Sequence, residues 1–258
     1  MSKNIKPLNN NELRVKAPTL FTSEPHFDVS DKYHFIPTID VIEEIRANNW
    51  YPVNVSVANV RDEEKEGFQQ HCVRFRHFED LLNPKDNAVE LLLFNSHDRS
   101  KAFSISAGIF RFVCANGLVI SDSVFETYKI KHLGERDNDV ANAVANITAI
   151  KPKLMEKINK LESITLNQSE KESFAKYSIP LRFEEHLEIN HNDLLVPHRV
   201  EDSKDDLYTV LNVIQENLLR GNISGINKDT KRRFTSKEIT SISKDTEVNK
   251  GLWDIAEK

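Results

Sequence analysis

The apolar residues change their period near Asp137, and that change constrains the fold more than any other feature of the chain. Before it, Val53, Val55 and Val57 alternate with polar residues, as do the residues of "QHCVRFRHF". A period of two sends successive side chains to opposite faces of a strand. After it, Val140, Val144, Ile147, Leu154, Ile158 and Leu161 recur at helical spacing. The expected fold class is therefore α+β. A mainly antiparallel sheet should occupy about residues 50–133, packed by helices of the C-terminal half. The strand-like runs follow one another too closely for parallel crossovers, which need about a dozen residues or more.

Local signals fill in this outline. Within "QHCVRFRHF", His71, Val73, Phe75 and His77 share one face, and Cys72, Arg74, Arg76 and Phe78 share the other. "VELLLFN", residues 89–95, is apolar throughout and reads as a central strand. Gly108 marks a bulge or bend between "AFSISA" and "IFRFVC". Asn116-Gly117 marks a tight turn, and "VFETYKIKHL" reads as a further strand. Thr38 is expected to cap a helix whose apolar face is Ile39, Val41, Ile42 and Ile45, with Asn48-Asn49 ending it. Pro152 should kink or split the helix around it, because it has no N–H to donate. Ser169 and Glu172 form a capping-box pattern. Ser203 can cap a helix over 204–220, with Gly221 just past its end. Residues 180–200 read as a long loop with one short helix, and a last helix is expected over about 246–257.

Residues 1–32 are polar and hold Pro7, Pro18 and Pro25, so they are expected to form an extended, partly disordered arm. The remainder, 33–258, is expected as one domain, sheet-rich over 33–135 and helical over 136–258.

Composition removes several function classes. No apolar run approaches the roughly 20 residues of a membrane helix, and the N-terminus lacks the apolar core of a signal peptide. Cys72 and Cys114 are too few for a disulfide framework. A cytoplasmic protein without a membrane partner is expected. The formal net charge of −5 argues against coating nucleic acid through bulk charge, but leaves room for a local basic patch.

Each chemical constellation has a bland reading beside it. His71, Cys72, His77, Cys114 and His132 have zinc-ligand chemistry without zinc-ligand spacing, and His71 and Cys72 point to opposite faces, so no metal is expected. His97-Asp98 resembles the metal-binding pair of some phosphohydrolases, but it falls in the turn "SHDRSK", where an Asp commonly bonds backbone N–H groups. Cys114 as a nucleophile would need a base such as His132 and a lowered pKa; a packed strand cysteine is the simpler reading. There is no phosphate-binding glycine loop and no nucleophile elbow, and no cofactor is expected. Trp253, with Leu252 and Ile255, suits a core or a subunit interface.

The basic residues are more suggestive. Arg74 and Arg76 share a strand face, Lys129 and Lys131 share another, and Arg111 projects from a third strand, with Phe75, Phe110, Phe112 and Tyr128 interleaved. Coplanar basic faces would make a track for a phosphate backbone. The bland alternative is the wet face of an antiparallel sheet. A second cluster, Lys228, Lys231, Arg232, Arg233 and Lys237 around Phe234, lies in a loop or hairpin beyond Gly221 and Gly225. It suits a phosphate contact or a merely solvated loop.

Seven blocks, "FIPTIDVIEEIRANNWYPV", "QHCVRFR", "LLLFNSHDRSKAF", "GIFRFVCANGLV", "KIKHLGE", "NVIQENLLRG" and "NKGLWDIAE", resemble the phage- and plasmid-borne family known as domain of unknown function 932. The resemblance runs from about Phe35 to the C-terminus. It implies a mobile-element setting and no established activity. A glycine often follows the His-Asp pair in that family, where this chain has Arg99.

Three functions fit these readings. The first is nucleic-acid binding, with single-stranded DNA in replication or recombination as the expected ligand and a fold-level analogy to single-strand annealing proteins. The second is a protein-binding or counter-defence factor, or a homo-oligomer, without catalysis. The third is a metal-dependent enzyme on nucleic acid or nucleotides, centred on His97 and Asp98.

Overall fold

The computed structural model describes residues 5–29, 33, 35–60, 62–111, 117–119, 128–129 and 139–258. Of the strand residues 117–119 and 128–129 it describes only the backbone. The fold is α+β, with antiparallel sheets, and it divides into two compact units. The first holds residues 1–112 and 123–151, the second 113–122 and 152–258. Among the described residues no helix is long and apolar enough to cross a membrane.

The first unit is built on a sheet of β1 (Trp50–Val57), β2 (His71–His77), β3 (Asn87–Asn95) and β4 (Ser104–Arg111), each antiparallel to the next. A short β6 (Tyr128–Lys129) adds to β4, pairing Lys129 with Ser104. β3 is buried at every position, as a central strand must be. Gly108 does not interrupt β4: it pairs with Glu90 in unbroken register. The bulge lies instead between Pro52 and Asn54 in β1, at the sheet edge, where a residue without an N–H is tolerated.

The face carrying Trp50, Val73, Phe75, Leu91, Leu93, Ile105 and Ile109 is dry. Helix α2 (Thr38–Ala47) contributes Val41, Ile42 and Ile45 to the core. Helix α4 (Asp139–Ser163) contributes Val140, Ala143, Val144 and Ile147, and the Trp50 indole N–H donates to Thr148 of that helix at 3.1 Å. The short α3 (Phe78–Leu82) follows β2, and its Asp80 meets Lys151 of α4 at 2.6 Å.

Several local expectations shift. Thr38 does not cap α2; Pro37 holds that position, and the Thr38 hydroxyl is committed elsewhere. Pro152 does not split α4, but the division between the two units falls there. The N-terminal segment is not simply an arm: α1 (Asn10–Lys16) is closed by a capping box between Asn9 and Glu12, and Leu13 and Leu20 are buried.

The second unit is organised around α6 (Leu207–Arg220), whose N-cap is Asp206 rather than Ser203. Leu211, Ile214 and Leu218 of α6, with Val248, Leu252 and Trp253 of α7 (Ile242–Ala256), are buried. Trp253 is therefore core. Helix α5 (Gln168–Ser178) is capped by Asn167 with Glu170, two residues before the Ser169 pattern. The polar letters of "NVIQENLLRG" are structural. Gln215 donates to Asn249, Asn217 donates to the carbonyls of Leu194 and Val196, and buried Glu216 accepts two bonds from Arg199 at 2.7 and 2.6 Å. This unit also has a sheet that the helical pattern did not announce: β7 (Leu187–Ile189), β8 (Ser224–Asn227) and β9 (Arg233–Thr235), all antiparallel. A short β5 (Gly117–Val119) belongs to the same unit.

Candidate nucleic-acid interface

The cations singled out from the sequence fall into very different surroundings. Arg74 and Arg76 do share a face of β2, and both bind one carboxylate. Arg74 Nε lies 2.6 Å from Glu90 Oε2, and Arg76 Nη2 lies 2.6 Å from Glu90 Oε1. Both guanidiniums also stand over the Phe110 ring, at 4.5 and 4.8 Å from its centre. Arg76 is wholly buried, and burial lowers its pKa against the pull of Glu90. Arg111 is buried too. It pairs with Asn87, three residues from Glu90 along β3, and so sits on the opposite face. These three arginines do not form one open track. Lys129 is placed by its backbone alone, and Lys131, Cys114 and His132 lie outside the described residues.

His97 is likewise closed to solvent. It belongs to a polar knot beneath α2. The Thr38 hydroxyl lies 2.8 Å from His71 Nε2 and 3.3 Å from His97 Nε2, and it accepts from Asn95 Nδ2 at 3.0 Å. His71 Nδ1 faces the Gln69 carbonyl at 3.1 Å. Burial and the neighbouring His97 push the His71 pKa down to about 3, so its ring is neutral at ordinary pH. Its tautomer then carries the proton on Nδ1 and accepts from Thr38 on Nε2. Asp98 closes the turn: its carboxylate accepts from the Ser100 N–H at 2.9 Å and the Ser100 hydroxyl at 2.6 Å. Burial raises its pKa, and the Ser100 bonds outweigh that and bring it below the usual carboxylate value. Among the described residues, no three His, Cys, Asp or Glu side chains are grouped to hold a metal ion.

The remaining cluster is open. Gly221 ends α6 with φ of +77° and turns the chain into β8. The hairpin that follows is pinned at its base. Asn222 N–H donates to the Ser236 carbonyl, and Ser236 N–H returns a bond to Ile223. Arg182 also donates to the Lys237 carbonyl. The tip is equally well held. Asn227 N–H donates to the Arg232 carbonyl at 2.9 Å. The Asn227 side-chain oxygen accepts from the N–H groups of Asp229 and Thr230, at 3.0 and 2.9 Å. Lys228 is tied back to the carbonyls of Glu185 and His186. Lys231 takes a φ of +55°, completing the turn. Lys231, Arg232 and Arg233 are exposed, and none forms an ion pair with a carboxylate among the described residues.

Strand register decides what lies beside them. Arg233 pairs with Ile226, and Ile226 with Glu188; Thr235 pairs with Ser224. These residues alternate with buried or half-buried neighbours and form the outer face of the small sheet. Phe234 points the other way, 6.5 Å from Phe183, and covers Gly225, where a Cβ would come within 2.7 Å of its ring. Phe234 is thus an anchor for the hairpin. A groove of about 750 Å³ runs along the outer face and is extended by Asn190 and Asp193.

An α+β protein with a pinned, cationic hairpin over a small open sheet is what the chain presents. The family model described as "Domain of unknown function (DUF932)" matches residues 25–253, and the chain belongs to that family. It is similar to two Escherichia coli K12 proteins, UPF0380 protein YfjQ and UPF0380 protein YafZ. Each is 31% identical over 253 residues, covering 98% of this chain and 91% of theirs. No solved structure matches.

Proposed function

We propose that the protein binds nucleic acid through the β8–β9 hairpin, in the mobile-element setting that its family resemblance implies, with replication or recombination as the process it serves. The observation that carries this reading is the trio of Lys231, Arg232 and Arg233: exposed, adjacent, and without carboxylate partners among the described residues. In the first unit Arg74 and Arg76, by contrast, are committed to Glu90 and to the Phe110 ring. A chain of net charge −5 that leaves three neighbouring cations unneutralised has a local surface able to meet phosphates.

Phosphate contacts release counterions, so affinity should fall steeply as salt rises. The test is a titration of single- and double-stranded oligonucleotides at several salt concentrations. The variant replaces Lys231, Arg232 and Arg233 by alanine. Binding should weaken for every sequence, and the slope of log affinity against log salt should flatten by about two units, as expected for three lost contacts to a single strand. Absence of any binding at low salt would defeat this reading and put the protein-binding alternative in its place.

A further inference from the structure

The outer face of the β7–β8–β9 sheet carries more than charge. We infer that it is a platform for one unstacked nucleotide of a single strand, with the Ile226 side chain as its floor and Arg233 beside the phosphate. This deepens, and rests on, the nucleic-acid reading of the hairpin.

The geometry offers an apolar floor for a base, a cation for a phosphate, and polar groups around them. Ile226 stands in the middle strand, flanked across the sheet by Glu188 and Arg233. It is 39% exposed, an apolar surface with Glu188 and Arg233 on either side of it. A base that has left its stack has an apolar face to cover, and an exposed aliphatic side chain can pack against that face without regard to sequence. Arg233 belongs both to the cation trio and to the groove wall, so a backbone held by the hairpin passes directly beside the platform. The next row on the same face is Ser224 with Thr235, which offers hydroxyls as donors or acceptors. Glu188 and Asp193 complete the rim. Their carboxylates repel phosphate but accept from the amino groups that adenine, cytosine and guanine carry. The groove, at about 750 Å³, is open to solvent and has room for a single base laid along the sheet. A base inside a duplex cannot reach such a platform without being extruded, which costs unpairing and unstacking. The platform therefore selects single strands, whereas the cations alone would not.

The test changes the floor without changing the charge. Ile226→Asn lies on an exposed face, so the fold should be retained, and thermal melting of the variant checks this. Wild-type protein is titrated with a single DNA strand, the matching RNA strand, and the duplex, each carrying 2-aminopurine to report unstacking. The expected results are tighter binding of single strands than of duplex and a rise in 2-aminopurine fluorescence on binding. Ile226→Asn should bind single strands roughly tenfold more weakly through lost apolar burial, with the salt slope unchanged. Equal affinity for single strand and duplex, no fluorescence change, and a silent Ile226→Asn would overturn the platform while leaving the hairpin as a backbone contact. No binding to any strand would overturn the underlying reading as well.

Discussion

Arg76 reaches Glu90 at 2.6 Å in a place that solvent does not reach, and Arg74 takes the other oxygen of the same carboxylate. The pair spans β2 and β3 directly, since Arg76 and Glu90 are register partners. Removing one member of a buried ion pair leaves its partner's charge desolvated, which typically costs about 3–5 kcal/mol. Glu90→Gln should therefore destabilise the first unit by roughly that amount. Urea denaturation measures it, and a loss below about 1 kcal/mol would show that Glu90 is not what holds the two guanidiniums.

The Thr38 knot gives a second expectation. Thr38→Val keeps the shape of the side chain but removes the hydroxyl that His71 and Asn95 share. A buried acceptor or donor left without its partner costs about 1–3 kcal/mol. No helix-capping bond is lost with the hydroxyl, because Pro37 and not Thr38 is the cap of α2. Chemical denaturation of Thr38→Val against Thr38→Ser isolates the hydroxyl: serine should restore most of the loss.

Acid sensitivity follows from the same knot. The folded pKa of His71, at about 3, lies below its unfolded value of about 6.5. The unfolded chain then binds the proton that the folded chain refuses. The stability is fully present above pH of about 6.5 and is lost as pH falls toward about 3, by about 1.4 kcal/mol per unit for one proton. His71→Asn should be less stable at neutral pH and should show a shallower decline between those limits. Denaturation midpoints across that range decide the matter; identical slopes in wild type and variant would remove His71 as the cause.

Gly221 ties α6 to the hairpin. Its φ is +77°, and an added Cβ would lie 2.6 Å from the Lys237 carbonyl group. Gly221→Ala should cost at least about 2 kcal/mol from strain and crowding together. Amide hydrogen exchange should rise first at Asn222 and Ser236, whose backbone bonds close the hairpin base. Unchanged exchange there would mean that the hairpin stands independently of the helix end.

The two sheets differ in how far the sequence disclosed them. The first is written in local pattern: β2 appears where the alternation of Val73 and Phe75 puts it, β3 where the apolar run of residues 89–95 does, and Asn48-Asn49 and Gly221 end their helices as their conformations allow. What local alternation cannot contain is the identity of a register partner. Arg74 and Arg76 look like a wet face until Glu90, sixteen and fourteen residues away respectively, is placed between them. The same holds for Thr38, whose hydroxyl fits the cap pattern locally and is claimed by His71 across 33 residues. β7 was hidden because three residues between prolines carry too little periodicity to register as a strand. The cation hairpin was legible because glycine, charge and aromatic residues coincide within a dozen positions. Its outer face was not, because Ile226 and Glu188 meet only through strand pairing.

Asn227 has a thermodynamic consequence for recognition. Its side chain accepts two backbone N–H groups within the turn that carries Lys231 and Arg232. The turn's conformational entropy is thus surrendered when the chain folds, before any ligand arrives. A free peptide of identical sequence would have to freeze that loop at the moment of contact, losing about 1–2 kcal/mol for each backbone residue it orders. If the proposed reading holds, the folded hairpin would meet a polyanion already ordered, and an unfolded segment of equal charge should have a much shorter residence time on the same strand.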